Sequence, residues 1–213
     1  VALKDVGVNV ELKDVAALTT VTQVYCNEEN RAIEAVYCFP VEEGAAVCGF
    51  EIETNGKIIR GVTEEREKAF EIYDKAIEAG NASYLLDQEA DDILNISVGN
   101  IMPQQEVNIR LSYISELPVV DGIIRLQIPS TVSPRYAPAD ADPLKADRIN
   151  PPHQMEVPYR LNLSVRVLAD TVGTIESPSH GIKMRSEQGY TIVSLADDTI
   201  RLDRDFILQL ETK

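Results

Sequence analysis

Alternation of apolar and polar residues near the start of the chain is the feature that most limits its fold. Val6, Val8, Val10 and Leu12 alternate with small or polar residues. Successive side chains of a strand point to opposite faces, so this pattern puts one face on a core and the other in water. Related apolar-rich segments predict further strands at 18–25, 33–39, 92–98, 106–113, 123–128, 159–168, 182–184, 190–195 and 205–210.

Two segments near the start of the chain have the sequence of turns between strands. The polar cluster at 27–30 predicts a turn into the strand at 33–39. The dipeptide Asn55-Gly56, inside residues 51–59, predicts a two-residue hairpin, because both positions of a type I′ turn need positive φ.

One segment has helical spacing instead. Its apolar residues are Ala69, Phe70, Tyr73, Ala76 and Ile77. Thr63 is the candidate N-cap and Gly80 the candidate stop, so we expect a helix at about 64–79. The apolar stripe should face the sheet, with the charged residues in solvent.

Prolines interrupt the pattern in the second half of the chain. Seven of the eleven prolines lie between Pro129 and Pro158. Proline lacks the amide donor and fixes φ, so an irregular connection is expected there. The chain is therefore predicted to be mainly β (α+β), an antiparallel β sandwich with one inserted α-helix.

The charge of the chain limits its partners. Acidic residues number 35 against 20 Lys and Arg, which gives a net charge of −15. Such a chain is repelled by nucleic acids and by anionic membrane surfaces, so neither is expected as a partner. No apolar run approaches the length of a membrane span, and no basic start followed by an apolar stretch resembles a signal peptide.

The three cysteines are too few for a disulfide framework. Cys26, Cys38 and Cys48 each lie in an apolar, strand-like stretch, and none is expected to neighbour a cationic group that would lower its pKa. Reduced, mostly inaccessible thiols are the first interpretation, and a cross-strand bridge between Cys26 and Cys38 is the alternative.

No catalytic, cofactor or metal site is predicted. His153 and His180 lie in turn-forming sequence, are expected at the surface and lack ligands at zinc spacing. No nucleophile elbow or phosphate-binding glycine loop occurs. Two acidic clusters, one at 87–92 and one at 140–147, lack the glycine and terminal Glu of a calcium loop and are interpreted as solvated.

Several segments together identify a family. They are IEAVYCFP at 33–40, AAVCGFE at 45–51, YDKA at 73–76, DQ at 87–88 and VGNI at 98–101. In this order and spacing they resemble the VIT domain, the vault protein inter-alpha-trypsin module. The resemblance is dense over 1–117 and implies an interaction module without a catalytic centre, usually placed before a von Willebrand type A domain.

The resemblance also suggests domain limits and interaction residues. A VIT core at 1–133, a proline-rich connection at 134–158 and a C-terminal β extension at 159–213 on the same sandwich are expected. Arg135 and Tyr136 match a Pro-Arg-Tyr of the family, and serve either to anchor a loop or to contact a partner. Tyr84 and Leu85 belong either to a buried strand or to an apolar contact with a following domain.

The functional prediction is a non-catalytic interaction and scaffold module that packs on a following type A domain. The Asp-x-Ser-x-Ser metal-adhesion motif of that domain is missing from the chain, so it would lie outside. One alternative is an accessory domain of a larger enzyme, such as a vault-type ADP-ribosyltransferase. Another is a secreted matrix-binding module like the inter-alpha-trypsin heavy chains, although Asp142-Pro143 is followed by Leu144 and not by the crosslinking His-Phe. A cytoplasmic location is predicted, with secretion as the alternative.

Overall fold

The computed structural model describes residues 3–42, 44–90, 93–129, 160–197 and 204–213, which form fifteen strands and one helix. The elements are β1 (Leu3–Lys13), β2 (Ala16–Cys26), β3 (Ile33–Pro40), β4 (Ala46–Thr54), β5 (Lys57–Arg60), α1 (Arg66–Glu78), β6 (Ser83–Ala90), β7 (Ile93–Ile101), β8 (Glu106–Glu116), β9 (Val119–Val120), β10 (Ile123–Ile128), β11 (Arg160–Leu168), β12 (Val172–Glu176), β13 (Ile182–Glu187), β14 (Tyr190–Leu195) and β15 (Phe206–Thr212). The predicted mainly β fold with one helix is confirmed. In the described ranges no helix has the length and apolar character needed to cross a membrane.

One layer of the fold is an eight-stranded sheet in the order β13-β14-β11-β1-β2-β8-β4-β5. The alternating sequence of β1 corresponds to alternating burial along the pleated strand. Val6, Val8, Val10 and Leu12 are all buried, while the residues between them face outward. The inner faces of β2, β8 and β11 continue this apolar surface.

The second layer consists of two smaller sheets. Strands β12-β15-β10-β9 form one and β3-β7-β6 form the other. Leu126, Phe206 and Leu208 of the first, and Ile96 and Val98 of the second, belong to the same buried cluster as the inner face of the large sheet. The two layers therefore share one core.

A single parallel pair interrupts the antiparallel pattern. Among the described strand pairs, all are antiparallel except β1 with β11, where Asp5 lies opposite Arg160 and Leu12 opposite Val167. A parallel pair cannot be closed by a tight turn, because both strands run the same way and the chain must return between them.

Positive φ angles mark the tight hairpins. Asn55 and Gly56 have φ of 51° and 69° between β4 and β5, so the predicted hairpin is confirmed. Asp121-Gly122 and Gln188-Gly189 show the same pattern, with φ of 52° and 77° and of 48° and 81°. They join β9 to β10 and β13 to β14.

The helix begins later than the sequence predicted. Its N-cap is Glu65, without a side-chain capping bond, so the prediction of Thr63 as N-cap is wrong. Thr63 lies two residues before the cap, where its hydroxyl is not placed to accept from the first-turn amides. The predicted stop at Gly80 is confirmed. Gly80 has φ of 75°, and its N–H donates to Ile77 O at 2.9 Å, as in a Schellman motif.

The predicted apolar stripe of α1 packs on the small sheet β3-β7-β6. Tyr73 is its buried residue, whereas Phe70 is only half-buried. The Tyr73 hydroxyl donates to Glu34 Oε1 at 2.5 Å and so ties the helix to β3. A side chain at Gly99 of β7 would collide with Ile77 and would lie 2.8 Å from the Tyr73 hydroxyl. Glycine therefore allows the helix to approach this closely.

Asn27 fixes the loops at one end of the core. It is fully buried, and its Nδ2 donates to Arg31 O at 2.8 Å and to Ile101 O at 2.7 Å. Its Oδ1 accepts from the Glu29 N–H at 2.8 Å. The predicted turn at 27–30 is therefore held by side-chain bonds that satisfy both ends of a buried amide.

We expect the Gly99→Ala variant to be destabilised by about 1–3 kcal/mol, because the added methyl overpacks the contact with Ile77 and Tyr73. The control is Gly7→Ala, where the new methyl would meet only Thr22 Cβ at 4.0 Å. Neither glycine has positive φ, so the difference measures packing alone. Equal urea midpoints for the two variants would contradict the proposed contact.

The predicted division into 1–133, 134–158 and 159–213 stays a prediction, and the connection at 134–158 lies outside the described residues. A fragment ending at Ser133 would lose β11 from the edge of β1 and β15 from the core. We expect it to aggregate or to unfold without a sharp thermal transition. A soluble fragment whose calorimetric transition is as cooperative as that of residues 1–213 would refute the single unit.

Candidate interaction surfaces

The predicted interaction residues of β6 are largely engaged within the fold. Leu85 is buried on the face covered by α1, whereas Tyr84 and Leu86 face the core between the layers. Burial raises the pKa of Tyr84, and the nearby Thr54 hydroxyl partly opposes this. Tyr84 and Leu85 thus belong to a strand packed within the fold, which was the first of the two predicted alternatives. Their role in an interaction with another domain stays a prediction. Arg135 and Tyr136 lie outside the described residues.

The first acidic cluster is partly committed to an ion pair. Asp87 accepts from Arg66 at 2.7 Å, which attaches the start of α1 to β6. The cluster at 140–147 lies outside the described residues, as do Asp91 and Asp92. In the ranges that the structure describes, no group of three or more His, Cys, Asp or Glu side chains is arranged to hold a metal ion.

A buried polar cluster lies between the layers. Thr19, Tyr113 and Ser115 come from the inner face of β2 and β8 and are almost fully buried. Glu42 approaches them from the loop before β4, and its Oε1 has no hydrogen-bond partner among the described residues. Burial raises the pKa of the Glu42 carboxyl, and the nearby Ser115 hydroxyl and Gln127 main chain offset this in part.

Burial also raises the pKa of the Tyr113 hydroxyl, and the charge of Glu42 raises it further. The two groups therefore favour their neutral forms. Tyr113 and Ser115 are buried in the core, and Glu42 is partly buried beside them. The protonation of Glu42 should therefore affect the stability of the fold.

The prediction that His180 is a surface turn residue is wrong. It is buried, with its ring centroid 5.8 Å from that of Phe206. Its Nδ1 lies 2.9 Å from Ser179 Oγ, and the same hydroxyl accepts from the Ile207 N–H at 2.8 Å. The turn folds over β15, which the local Ser-Pro-Ser-His pattern does not reveal. His153 lies outside the described residues.

The cysteine predictions need two corrections. Cys26 is a buried free thiol, but Cys48 is exposed, because β4 changes register between Val47 and Gly49. Cys26 also has a cationic neighbour. The pKa of Lys4 is raised, first by its hydrogen bond to Glu28 and then by Cys26. The side chain of Cys38 lies outside the description, and the free state of Cys26 argues against the alternative bridge.

Two hairpins present apolar side chains to solvent. The β4–β5 hairpin exposes Ile58 and Ile59 beside a shallow groove, where Glu51 pairs with Arg60 at 2.9 Å and Arg110 at 3.4 Å. The β9–β10 hairpin exposes Val119, Val120 and Ile123. Sequence reasoning missed the second hairpin, although its Asp121-Gly122 turn was a readable signal.

The described residues form a mainly β fold with one helix. Residues 3–113 match the family model of the vault protein inter-alpha-trypsin domain, VIT. The chain therefore belongs to the VIT domain family.

The relatives of the chain are much larger proteins. It is 32% identical over 200 residues to mouse protein mono-ADP-ribosyltransferase PARP4, a match that covers 92% of this chain and 10% of that protein. It is 32% identical over 188 residues to human von Willebrand factor A domain-containing protein 5A, covering 86% of this chain and 23% of the relative. The matched region is thus one part of each relative.

A solved structure shares the fold without sequence similarity. A Legionella pneumophila protein proposed to bind a nutrient superposes with a TM-score of 0.53 at 11% identity. The alignment covers 99% of this chain and 66% of that protein.

We expect Glu42→Gln to be more stable than the wild type at pH 7 and equally stable in acid. A carboxyl whose folded pKa is raised contributes stability below its unfolded pKa of about 4.5, which is lost as the pH rises through the folded value. Urea unfolding between pH 4 and pH 7 measures this.

The control is Glu51→Gln. Hydrogen bonding to Arg60 lowers the pKa of Glu51, so the substitution should change the stability at neutral pH in the opposite direction. That variant should lose stability at neutral pH, and the loss should shrink in acid. A Glu42→Gln variant that follows the same direction as Glu51→Gln would refute the burial argument.

Proposed function

We propose that this chain is a non-catalytic interaction and scaffold module that packs against a von Willebrand type A domain on its C-terminal side. The observation that supports this most is membership of the VIT family together with a relative whose own name includes the type A domain. The partner is therefore a protein surface, and the net charge of −15 disfavours nucleic acid or an anionic membrane.

The form of the described surface supports the absence of catalysis. Of the two neighbouring groups with raised pKa values, the Tyr113 hydroxyl is fully buried in the core, and Glu42 is partly buried beside it. Interaction modules instead use exposed apolar side chains on rigid elements, which both hairpins provide. The roles of Tyr84, Leu85, Arg135 and Tyr136 in such contacts remain part of the proposal.

A second candidate follows from the mouse ADP-ribosyltransferase. Its similarity extends over 92% of this chain, so the module is also consistent with an accessory domain of a larger enzyme. In that case the chain contributes architecture, and the chemistry belongs to another region. Both candidates share the interaction role and differ in what lies elsewhere in the polypeptide.

A cytoplasmic location is part of the proposal, and the free thiols of Cys26 and Cys48 support it. The sequence also contains three Asn-x-Ser patterns of the kind that accept N-linked glycans, at Asn81, Asn95 and Asn162. Asn95 is buried in β7 and is not available to a glycan, while Asn81 and Asn162 are exposed. Occupied glycans at the last two positions would favour the secreted, matrix-binding alternative.

Isothermal titration of the 213-residue chain against a purified type A domain tests the proposal. The domain is taken from human von Willebrand factor A domain-containing protein 5A. We expect saturable binding in the micromolar to millimolar range, since a partner tethered in one polypeptide needs little intrinsic affinity. A type A domain from an unrelated protein is the control.

Absence of binding, together with absence of contact in a longer polypeptide, would overturn the interaction role. The same preparation is incubated with NAD and assayed for ADP-ribosyl transfer, and no turnover is expected. Turnover that a single substitution abolishes would overturn the non-catalytic assignment.

A further inference from the structure

Strand β5 lies at the end of the eight-stranded sheet, so one of its edges has no strand beside it among the described residues. The Gly61 N–H donates to Phe50 O at 2.7 Å, which fixes the alternation of hydrogen bonds between β4 and β5. By that alternation, Ile58 and Arg60 direct their main-chain N–H and C=O groups away from β4. The open edge therefore offers the main-chain groups of two residues to an added strand.

The side chains beside this edge are apolar on both faces of the sheet. Ile58 lies opposite Glu53 on the outer face and is 64% exposed, whereas Ile59 lies opposite the buried Ile52 on the inner face and is 42% exposed. An added strand would cover both, because its own side chains alternate between the same two faces. Single exposed apolar residues are common, but two adjoining ones beside a free main-chain edge are what peptide ligands that add a strand require.

Both ends of β5 are basic. Lys57 forms no ion pair with another described residue, and the Arg60 side chain is 79% exposed although its Nε donates to Glu51. Glu51 also lies 3.4 Å from Arg110, so one carboxylate is shared between two guanidinium groups. Glu53 lies on β4, which is about 5 Å further from an added strand. The edge therefore has an excess of positive charge, although the net charge of the chain is −15.

We infer that the open edge of β5 binds an extended segment of another protein, in which two apolar residues lie between two acidic ones. The sequence Lys57-Ile58-Ile59-Arg60 has the same order of residue classes in both directions, so this pattern holds for a parallel or an antiparallel added strand. The charge of the whole chain matters less at the edge, because physiological salt screens charges beyond about 8 Å. The site is separate from the proposed contact with a type A domain and does not depend on it.

The same basic residues disfavour a second copy of this chain at the edge. Two β5 strands in antiparallel register would place Lys57 of each copy opposite Arg60 of the other. Like charges directly opposite each other destabilise a strand pair, and basic residues are a common protection of edges against self-association. A strand flanked by acidic residues instead meets a complementary charge at each end.

The other edge of the same sheet provides a matched control. The Ala196 N–H donates to Gly181 O at 2.9 Å, so Met184 of the edge strand β13 directs its main-chain groups to the open side, as Ile58 does in β5. Met184 is 55% exposed. Proline at either position removes an edge N–H without breaking a bond of the ladder, which edge strands tolerate.

Nuclear magnetic resonance titration of the isotope-labelled 213-residue chain tests the site. The probe is the acetylated and amidated peptide Thr-Thr-Glu-Val-Val-Glu-Thr-Thr, added to about 5 mM because strand addition through few hydrogen bonds is weak. We expect saturable shifts of the amides at 57–61. The peptide with Lys in place of both Glu should bind at least about fivefold more weakly, and Lys57→Glu should reduce the difference between the two peptides.

Methylation of the peptide nitrogens tests the added strand itself. Adjacent residues of a strand direct their N–H groups to opposite sides, so only one of the two central valines donates to β5. We expect binding to weaken at least about tenfold when that valine is N-methylated and to change less than about twofold for the other. Ile58→Pro should also weaken binding, and Met184→Pro should not.

Unchanged melting verifies the folding of the proline variants, and the methylated peptides keep the test valid if Ile58→Pro does not fold. Equal effects of the two methylations, shifts only outside 57–61, or absence of binding at the highest peptide concentration would overturn the site. Shifts at 57–61 that follow the concentration of the chain and not that of the peptide would assign the edge to a second copy instead. None of these results affects the contact with a type A domain, which calorimetry tests separately.

Discussion

Burial of the inner face of the eight-stranded sheet is the interaction on which the remaining structure depends. Val8, Leu111 and Val165 of this face are each at most 2% exposed, and they belong to one buried cluster with side chains from both smaller sheets. A fully buried aliphatic side chain contributes about 1.5–3 kcal/mol, so the shared face outweighs any individual polar bond in the fold. The helix contributes only indirectly, because it covers the small sheet that packs on this face.

Two buried polar groups in this core illustrate opposite outcomes. Asn27 has partners for its donors and its acceptor, so its burial joins the loop after β2 to the end of β7 without leaving an amide unpaired. Glu42 leaves one oxygen without a partner among the described residues, and the core resists its charge. One residue therefore specifies local geometry, whereas the other makes stability depend on protonation.

Local signals in the sequence were sufficient for much of the fold. The alternation of β1, the Asn55-Gly56 turn and the stop at Gly80 depend on backbone preferences within a few residues, and each was predicted correctly. The predictions for His180 and Cys48 were wrong for reasons that local sequence does not show. The burial of His180 depends on the distant strand β15, and the exposure of Cys48 accompanies a register change in β4. The parallel partner of β1 was not predictable either, since β11 is distant in sequence and no local rule specifies it. For the exposed β9–β10 hairpin, the turn was readable from Asp121-Gly122, but the two hydrogen bonds that Thr212 of β15 donates to Gly122 O were not.

The parallel pairing of β1 has a consequence for the order in which the protein can form during synthesis. Strand β1 leaves the ribosome before β2 and pairs with it soon afterwards, but its other edge waits until residues 160–168 emerge. Until then the nascent chain presents an unpaired edge with apolar Val8 and Val10 beside it, which is a template for association with other chains. Pairing so distant in sequence also slows folding. The edge of β1 should accordingly need protection by chaperones until β11 has emerged.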